Sequence, residues 1–524
     1  MAALGGVTSA VLLAGPSHAA TFAVTNADDS GAGSLRQAIT DANANGNNAT
    51  VDEIPINVTG DIELLTALPN LSTPMTITGP GADSLDVQPS PTAAAGTRLF
   101  VVSPAATLTV TIEGVSISDG TDRALLKGGA GALVLDAVWL RDNQTTASGG
   151  AVHCDGGALS LRNSTLSGNQ AAFGGALSVS SNMGAGTACV ADVVNSTLSG
   201  NSVNEFGGGI YVSNAGQITI NSSTIQGNTA DLDDAGGGSG GGSYKASAMA
   251  TITVANTLYA GNSVGTATPV ANQCGGAHTS AGYNFRQTSE LDCTGFTQLT
   301  DIVNADPKLG TLGDHGGPTP TIPLLEGSPA IDKGNPTTPG GVFPACPAED
   351  QRGALRVVCD IGAFELLHPT TTSVACVPTS VTLGPGTTCT ATVTDTTASP
   401  TTPTLSVDFS TDGAGTFSGG GSCTLADTAS QASCQVIYTP SAVGTGSHEI
   451  TGLYGGDPAH EPSQGSVLVG VLSPPVTPPV TPPTGTTAPA PFNLAAAIKK
   501  CKKKFPKGKK RKKCIKRAKK RAGV

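Results

Sequence analysis

The stretch NSTLSGN at residues 163–169 returns unchanged at 195–201, then as SSTIQGN at 222–228 and NTLYAGN at 256–262. Fainter copies are VWLRDN, ending at Asn143, and GVSISDG, around Asp119. Successive copies lie about 24, 26, 32, 27 and 34 residues apart, and Gly-rich pairs separate them: SGGAV at 148–152, FGGAL at 173–177 and FGGGI at 206–210. A unit of this length, rich in Val, Ile, Thr and Ser with period-2 stretches, is one coil of a β-solenoid. The spacing is too short and too variable for propeller blades of about 40 residues. Leu166, Leu198, Ile225 and Leu258 are expected to stack inward from coil to coil. The closing Asn of each copy is expected at a turn, in the left-handed conformation that Asn tolerates, bonding to the coils above and below.

Composition agrees with that reading. Aromatic residues make up 4% of the chain and charged residues 13%, against 69 glycines. Such a chain builds strands and tight turns rather than long amphipathic helices.

Charge is divided unevenly. Residues 499–521 hold 16 of the 28 Lys and Arg and no acid, which leaves 12 basic against 38 acidic residues elsewhere. An acidic body repels phosphate backbones, so nucleic acid is not expected as a partner, and Phe505 alone makes no stacking platform.

The beginning, MAALGGVTSAVLLAGPSHAA, has an apolar run followed by small residues suited to cleavage after Ala19 or Ala20, although the positive n-region is missing. We expect a signal peptide over 1–20 and export. No later run is apolar over the ~18 residues a membrane helix needs.

The twelve cysteines fall as near neighbours: Cys154 and Cys189, Cys274 and Cys293, Cys346 and Cys359, Cys376 and Cys389, Cys423 and Cys434, Cys501 and Cys514. An even count in pairs predicts disulfides in an oxidising compartment, with Cys389–Cys434 as the alternative in the later region. No CxxC occurs, and no cofactor or metal is expected.

Two segments resemble known families. TFAVTNADDSGAGSLRQAITDAN (21–43) resembles the CSLREA-type region that precedes bacterial surface β-helices, with Ser34 where the Cys-Ser of that motif begins. SLRQAITDAN puts Leu35, Ala38, Ile39 and Ala42 on one helical face, suited to closing the open end of a first coil. The GGA[IVL] alternation looks like polymorphic outer-membrane-type repeats. Residues 274–365, with CGGAHTSAGYNF, GDHGGPTPTIPLLEGSPAIDKG and DQRGALRVVCDIGAFE, resemble the choice-of-anchor Q region of surface proteins. The resemblance implies a right-handed parallel β-helix and a surface location, and no reaction.

Asp314, His315, Asp332, Asp350, Arg352 and Asp360 invite a catalytic reading, but Asp and Arg among Pro and Gly are expected to pin turns that cap the last coil. Inverting pectinolytic hydrolases on β-helices carry four ordered motifs. Here only DLDD (Asp231, Asp233, Asp234) offers adjacent acids, in a Gly/Ser loop at 231–245. Asp233 and Asp234 are the candidates if the flank is a lyase or hydrolase cleft. Asp231, Asp233 and Asp234 are the candidates for calcium, although their spacing matches no EF-hand and no nonapeptide calcium repeat. A solvated acidic loop is the expectation.

After Pro369 about seven short strands are expected to form an immunoglobulin-like sandwich, resembling bacterial Ig-like repeats in the pattern YTP…G…H.I…Y.GD..H..S. The single tryptophan, Trp139, lies in the repeats. Residues 473–491 form a polyproline stalk, and FNLAAAIKKCKKKF and KKRKKCIKRAKKRAG are helix formers broken by PKG at 506–508. Cys501–Cys514 would clamp them as a hairpin. A similar basic, Cys-containing tail ends many Pro/Thr-linked surface proteins of some Gram-positive bacteria.

The expectation is therefore an all-β chain. A signal peptide (1–20), an N-terminal cap (21–45), a parallel β-helix (46–273) and its C-terminal region (274–368) precede an Ig-like domain (369–472), a Pro-rich linker (473–492) and a basic tail (493–524). Lys499, Lys500, Lys502, Lys503, Lys504, Lys507, Lys509, Lys510, Arg511, Lys512, Lys513, Lys516, Arg517, Lys519, Lys520 and Arg521 would bind anionic envelope polymers or lipid headgroups. The solenoid flank would bind an extracellular polysaccharide or a partner cell, or serve as a spacer.

Overall fold

A computed structural model describes residues 19–45, 50–103, 108–182, 187–356, 358–397, 400–428, 430–457, 459–475 and 492–523. The expected signal peptide (1–20) and Pro-rich stalk (473–491) lie almost wholly outside them. The chain is mostly β, with large parallel sheets.

From residue 52 to residue 303 successive passes of the chain build three parallel sheets. The first runs from Asp52–Pro55 to Thr279–Ser280, the second from Gly60–Leu64 to Ile302–Val303, and the third from Phe100–Val102 to Cys293–Thr294. A short fourth sheet over Gln170–Ala171, Ser202–Val203, Thr229–Ala230 and Ser263–Val264 fills one corner. Inward Leu, Ile and Val as far as Tyr259 join one continuous core, and Leu258, Ala260 and Phe285 join a second with Leu324, Ala330 and Ile361. At the open end, the helix Leu35–Ala44 buries Leu35, Ala38, Ile39 and Ala42 in that core, with Ser34 as its N-cap.

The repeat motifs meet in register: Leu140 on Leu166, Leu166 on Leu198, Leu198 on Ile225. Leu258 does not continue this column. Ile225 pairs with Tyr259, while Leu258 pairs with Thr224. The turn sets the register, and Tyr259 stands three residues before the closing Asn, as Leu166 does.

The closing asparagines form a buried ladder. Each side-chain Nδ2 donates to the Oδ1 of the next rung, Asn143 to Asn169 (3.0 Å), Asn169 to Asn201 (2.9 Å), Asn201 to Asn228 (2.8 Å) and Asn228 to Asn262 (2.9 Å). Gln273 receives the last rung. The left-handed conformation expected of these asparagines falls instead on the residue before each: Asp142, Gly168, Gly200, Gly227 and Gly261 have φ of 56–67°. The Asn is thereby freed to turn its amide inward along the stack. In the GG turns the first glycine is left-handed (Gly174 φ 61°, Gly207 φ 72°), and the second lies against the next coil, where a Cβ on Gly175 would sit 2.5 Å from the Gly208 carbonyl.

The sequence reading expected residues 305–367 only to cap the last coil, and they do more. They double back as a strap along a corner of the stack. Thr319 donates to the Asn163 carbonyl (2.9 Å), Gln351 Nε2 to Thr165 (2.8 Å), Asn221 to the Ala345 carbonyl (2.9 Å) and Asn256 to the Pro344 carbonyl (2.8 Å). The corner residues Asn163, Asn195, Ser222 and Asn256 have positive φ, which opens their polar groups to the strap.

Residues 370–472 form two five-stranded sheets over one core that includes Cys389, Val407, Tyr438, Ile450, Tyr454 and Val469. Neighbours are antiparallel except Ser380–Thr382 beside Ser463–Leu472. Ten strands replace the expected seven, because Ala426–Thr428, Ser422–Thr424 and Gly415–Phe417 are short additions beside the main strands.

All six cysteine pairs are bonded as near neighbours. Cys376–Cys389 joins directly paired strand positions, so Cys389 does not reach Cys434. Cys423–Cys434, although close in sequence, joins one sheet to the other.

Candidate functional site

The acidic loop is an anchor. Asp231 is buried at φ 56° and accepts from the Gly236 amide (3.0 Å). Asp234 accepts from the Thr266 amide (2.7 Å), the Thr266 hydroxyl (2.5 Å) and the Ala267 amide (3.1 Å), and hydrogen bonds from Thr266 hold its carboxyl below the usual range. Asp233 accepts from the Ala235 amide. Asp233 and Asp234 are exposed, as in the solvated loop expected, while Asp234 ties the loop to the next coil, and the three carboxylates form no converging set among the described residues.

The strap residues are occupied in the same way. Asp350 receives the amides of Arg352, Ala354 and Glu365 besides the Arg352 guanidinium, which also lies 3.5 Å over the Phe364 ring. Asp360 receives the amides of Asp332 and Leu366. Glu365 pairs with Arg356 at 2.8 Å. Burial and the neighbouring Glu365 raise the pKa of Asp360, and burial, opposed by Arg356, pushes Glu365 up to about 7. Asp314 accepts from the Gly316 amide, and His315 lies edge-on to Phe364. These groups hold turns together and present no nucleophile–base pair.

A different surface carries chemistry that the sequence reading missed. On the third parallel sheet, Ile210 and Val212 point inward and Tyr211 between them points out, paired in register with Tyr244. Phe173 and Phe206 stand at the adjoining GG turns. The four rings form one half-buried cluster. Phe173 and Phe206 are 6.4 Å apart, Phe206 and Tyr244 4.6 Å, Phe173 and Tyr211 5.0 Å, and Tyr211 and Tyr244 6.2 Å at 4°. Burial, then Tyr244 and Glu205, raise the Tyr211 pKa, so its hydroxyl stays protonated at neutral pH. Around the corner, beginning at Ala172 beside Phe173, a groove of about 240 Å³ is lined by Gln144, Thr145, Gln170 and Asn204. The signal was available: both tyrosines stand five residues after the residue that opens an [FS]GG turn, at 206 and 239.

The tail residues come together as two helices, Leu494–Lys504 and Lys509–Arg521, bridged by Cys501–Cys514. Cys501 and Ala518 are buried between them, and every cation from Lys499 to Arg521 is exposed except the half-buried Arg511. A groove of about 790 Å³ runs between the helices, with Lys500, Lys504, Arg517, Lys520 and Arg521 on its walls. Among the described residues no helix is long and apolar enough to cross a membrane.

No protein-family model, curated protein or solved structure matches the chain.

Proposed function

We propose that the chain is a secreted, non-catalytic surface protein. In this reading the parallel stack is a right-handed β-helix of the choice-of-anchor Q kind whose flank binds an extracellular polysaccharide. The antiparallel unit is an Ig-like domain that, with the proline stalk, lifts the helix from the envelope. The basic hairpin holds the protein to anionic wall polymers or lipid headgroups.

The observation that carries the reading is the aromatic cluster of Phe173, Phe206, Tyr211 and Tyr244. Sugar rings present C–H faces that stack on aromatic surfaces, and their hydroxyls need the amide and hydroxyl partners that the Gln144–Asn204 groove supplies. Six disulfides fit an oxidising compartment. Sixteen cations at about 1 kcal/mol each near an anionic surface supply attachment without a membrane span.

The lyase or hydrolase alternative rests on Asp233 and Asp234, and Asp234 is already committed to the Thr266 turn. A panel of insoluble polysaccharides tests the choice. Retention of the full chain is expected, with at least tenfold loss in a Tyr211→Ala, Tyr244→Ala double variant. Release of reducing or unsaturated sugar that disappears in Asp233→Asn, Asp234→Asn would establish the enzyme instead.

A further inference from the structure

We propose that His368, Asp395 and His460 form a binding site for a divalent transition-metal ion of the zinc type at the entrance to the antiparallel unit. His368 lies two residues before the strand Thr370–Val377, Asp395 ends Thr387–Asp395, and His460 sits between Ser447–Tyr454 and Ser463–Leu472. The His368 backbone is clasped to the loop that carries His460, its amide donating to the Ala459 carbonyl (2.8 Å) and its carbonyl accepting from the Glu461 amide (2.9 Å).

The hydrogen bonds fix the protons. Asp457 Oδ1 accepts from the Ala459 amide (2.8 Å), and Oδ2 accepts from the Thr404 amide and hydroxyl, both at 2.7 Å. His460 Nδ1, 2.7 Å from Asp457 Oδ1, is then the protonated ring nitrogen. In the neutral ring Nε2 presents a lone pair, 3.0 Å from the Thr401 hydroxyl and 3.5 Å from Asp395 Oδ2. Oδ2 also accepts from the Thr401 amide (2.6 Å), and an ion between Nε2 and Oδ2 would take the place of the Thr401 hydroxyl.

The third group favours a metal. His368 Nδ1 approaches the same Oδ2 at 2.7 Å, and the two imidazoles stand nearly perpendicular, 81° apart. One donor atom from each of the three residues falls within 4.8 Å of the others. Ligand atoms around tetrahedral zinc, at bond lengths near 2.0–2.1 Å, lie roughly 3.3 Å apart, and the observed 2.7 and 3.5 Å bracket that value. A carboxylate behind the distal nitrogen, as Asp457 stands behind His460, is the outer partner that metal-binding histidines use to set tautomer and ring orientation.

The site also has an approach. Asp395 and His460 are buried, but His368 is half-buried and borders a cavity of about 610 Å³ that carries Glu326, Asp332 and Glu461 beside Lys333. That leaves room for water as a fourth ligand and a net acidic path for a cation. A bound ion would staple the first residues of the antiparallel unit to its last loop. The ligands stand 27 and 65 residues apart, so only the fold unites them.

The test uses the full oxidised chain, stripped with chelator and titrated with zinc against a chromophoric competitor. One ion per chain is expected. Stoichiometric binding should vanish in His368→Gln and in His460→Gln, and weaken about 10–100-fold in Asp457→Asn. Absence of binding by the unsubstituted chain, or equal binding by the His variants, would overturn the site. Should a variant lose its fold, the unsubstituted chain still decides the matter. With zinc present, diethylpyrocarbonate should spare His368 and His460 in a mass map. Equal modification with and without zinc, or sparing confined to other histidines, would show that His368 and His460 do not hold the ion.

Discussion

The parallel stack and the antiparallel unit place their polar residues by opposite rules. In the stack one choice is repeated, so the asparagines at 143, 169, 201, 228 and 262 bond to one another along the axis and the tyrosines at 211 and 244 fall into line on the surface. In the antiparallel unit the polar residues converge from distant segments on one edge, as His368, Asp395, Asp457 and His460 do. Repetition makes a column whose members support their neighbours, whereas convergence makes a single site that depends on strand closure, with Thr370–Val377 and Ser463–Leu472 facing each other at the ends of the unit. A repeated surface suits a long, repetitive ligand such as a polysaccharide, and a convergent cluster suits a single ion.

Substitution separates the two regions. The largest effect is expected for Asn201→Ala, which removes the acceptor of the Asn169 backbone and side-chain amides and a donor to the Leu166 carbonyl inside the stack. Unsatisfied buried groups cost about 1–3 kcal/mol each, so a loss of about 2–4 kcal/mol is expected. It should appear in the urea transition of the stack, with the antiparallel transition unmoved. A shared shift would mean that the two regions unfold as one.

The converse variant is Cys376→Ser, Cys389→Ser. Closing a loop of 13 residues stabilises by roughly 3 kcal/mol in the chain-entropy picture. Differential scanning calorimetry should show the antiparallel transition lowered and the stack's transition unchanged.

A smaller effect is expected from pH at the strap. Glu365 has a folded pKa of about 7 against 4.5, so the folded state keeps a proton that the unfolded chain releases between those values. Its stabilising contribution is fully present below pH 4.5 and is lost as pH rises through about 7. Urea midpoints of the stack at pH 5 and pH 8 should therefore differ more in the unsubstituted chain than in Glu365→Gln. An equal difference in both would place the proton elsewhere.

Legibility in the sequence follows the same division. The stacked coils, the helix Leu35–Ala44 and the near-neighbour disulfides were readable because each rests on local pattern: a motif every ~30 residues, one apolar helical face, paired cysteines. Register within a repeat was less so. NTLYAGN offers Leu258 to the eye, yet the turn fixes Tyr259 as the inward residue. The inward turn of the ladder asparagines was also hidden, because the left-handed strain passes to the preceding residue. The strap and the histidine cluster depend on contacts spanning up to 186 residues, as between Gln351 and Thr165, and no local pattern encodes those.

The most direct test of the binding flank is hydrogen exchange on the full chain with a polysaccharide that it retains. Slowed exchange should be confined to residues 171–179, 204–212 and 239–245, around the four aromatic rings. Slowing in the antiparallel unit or the basic hairpin, or retention of no polysaccharide in the panel, would contradict the account.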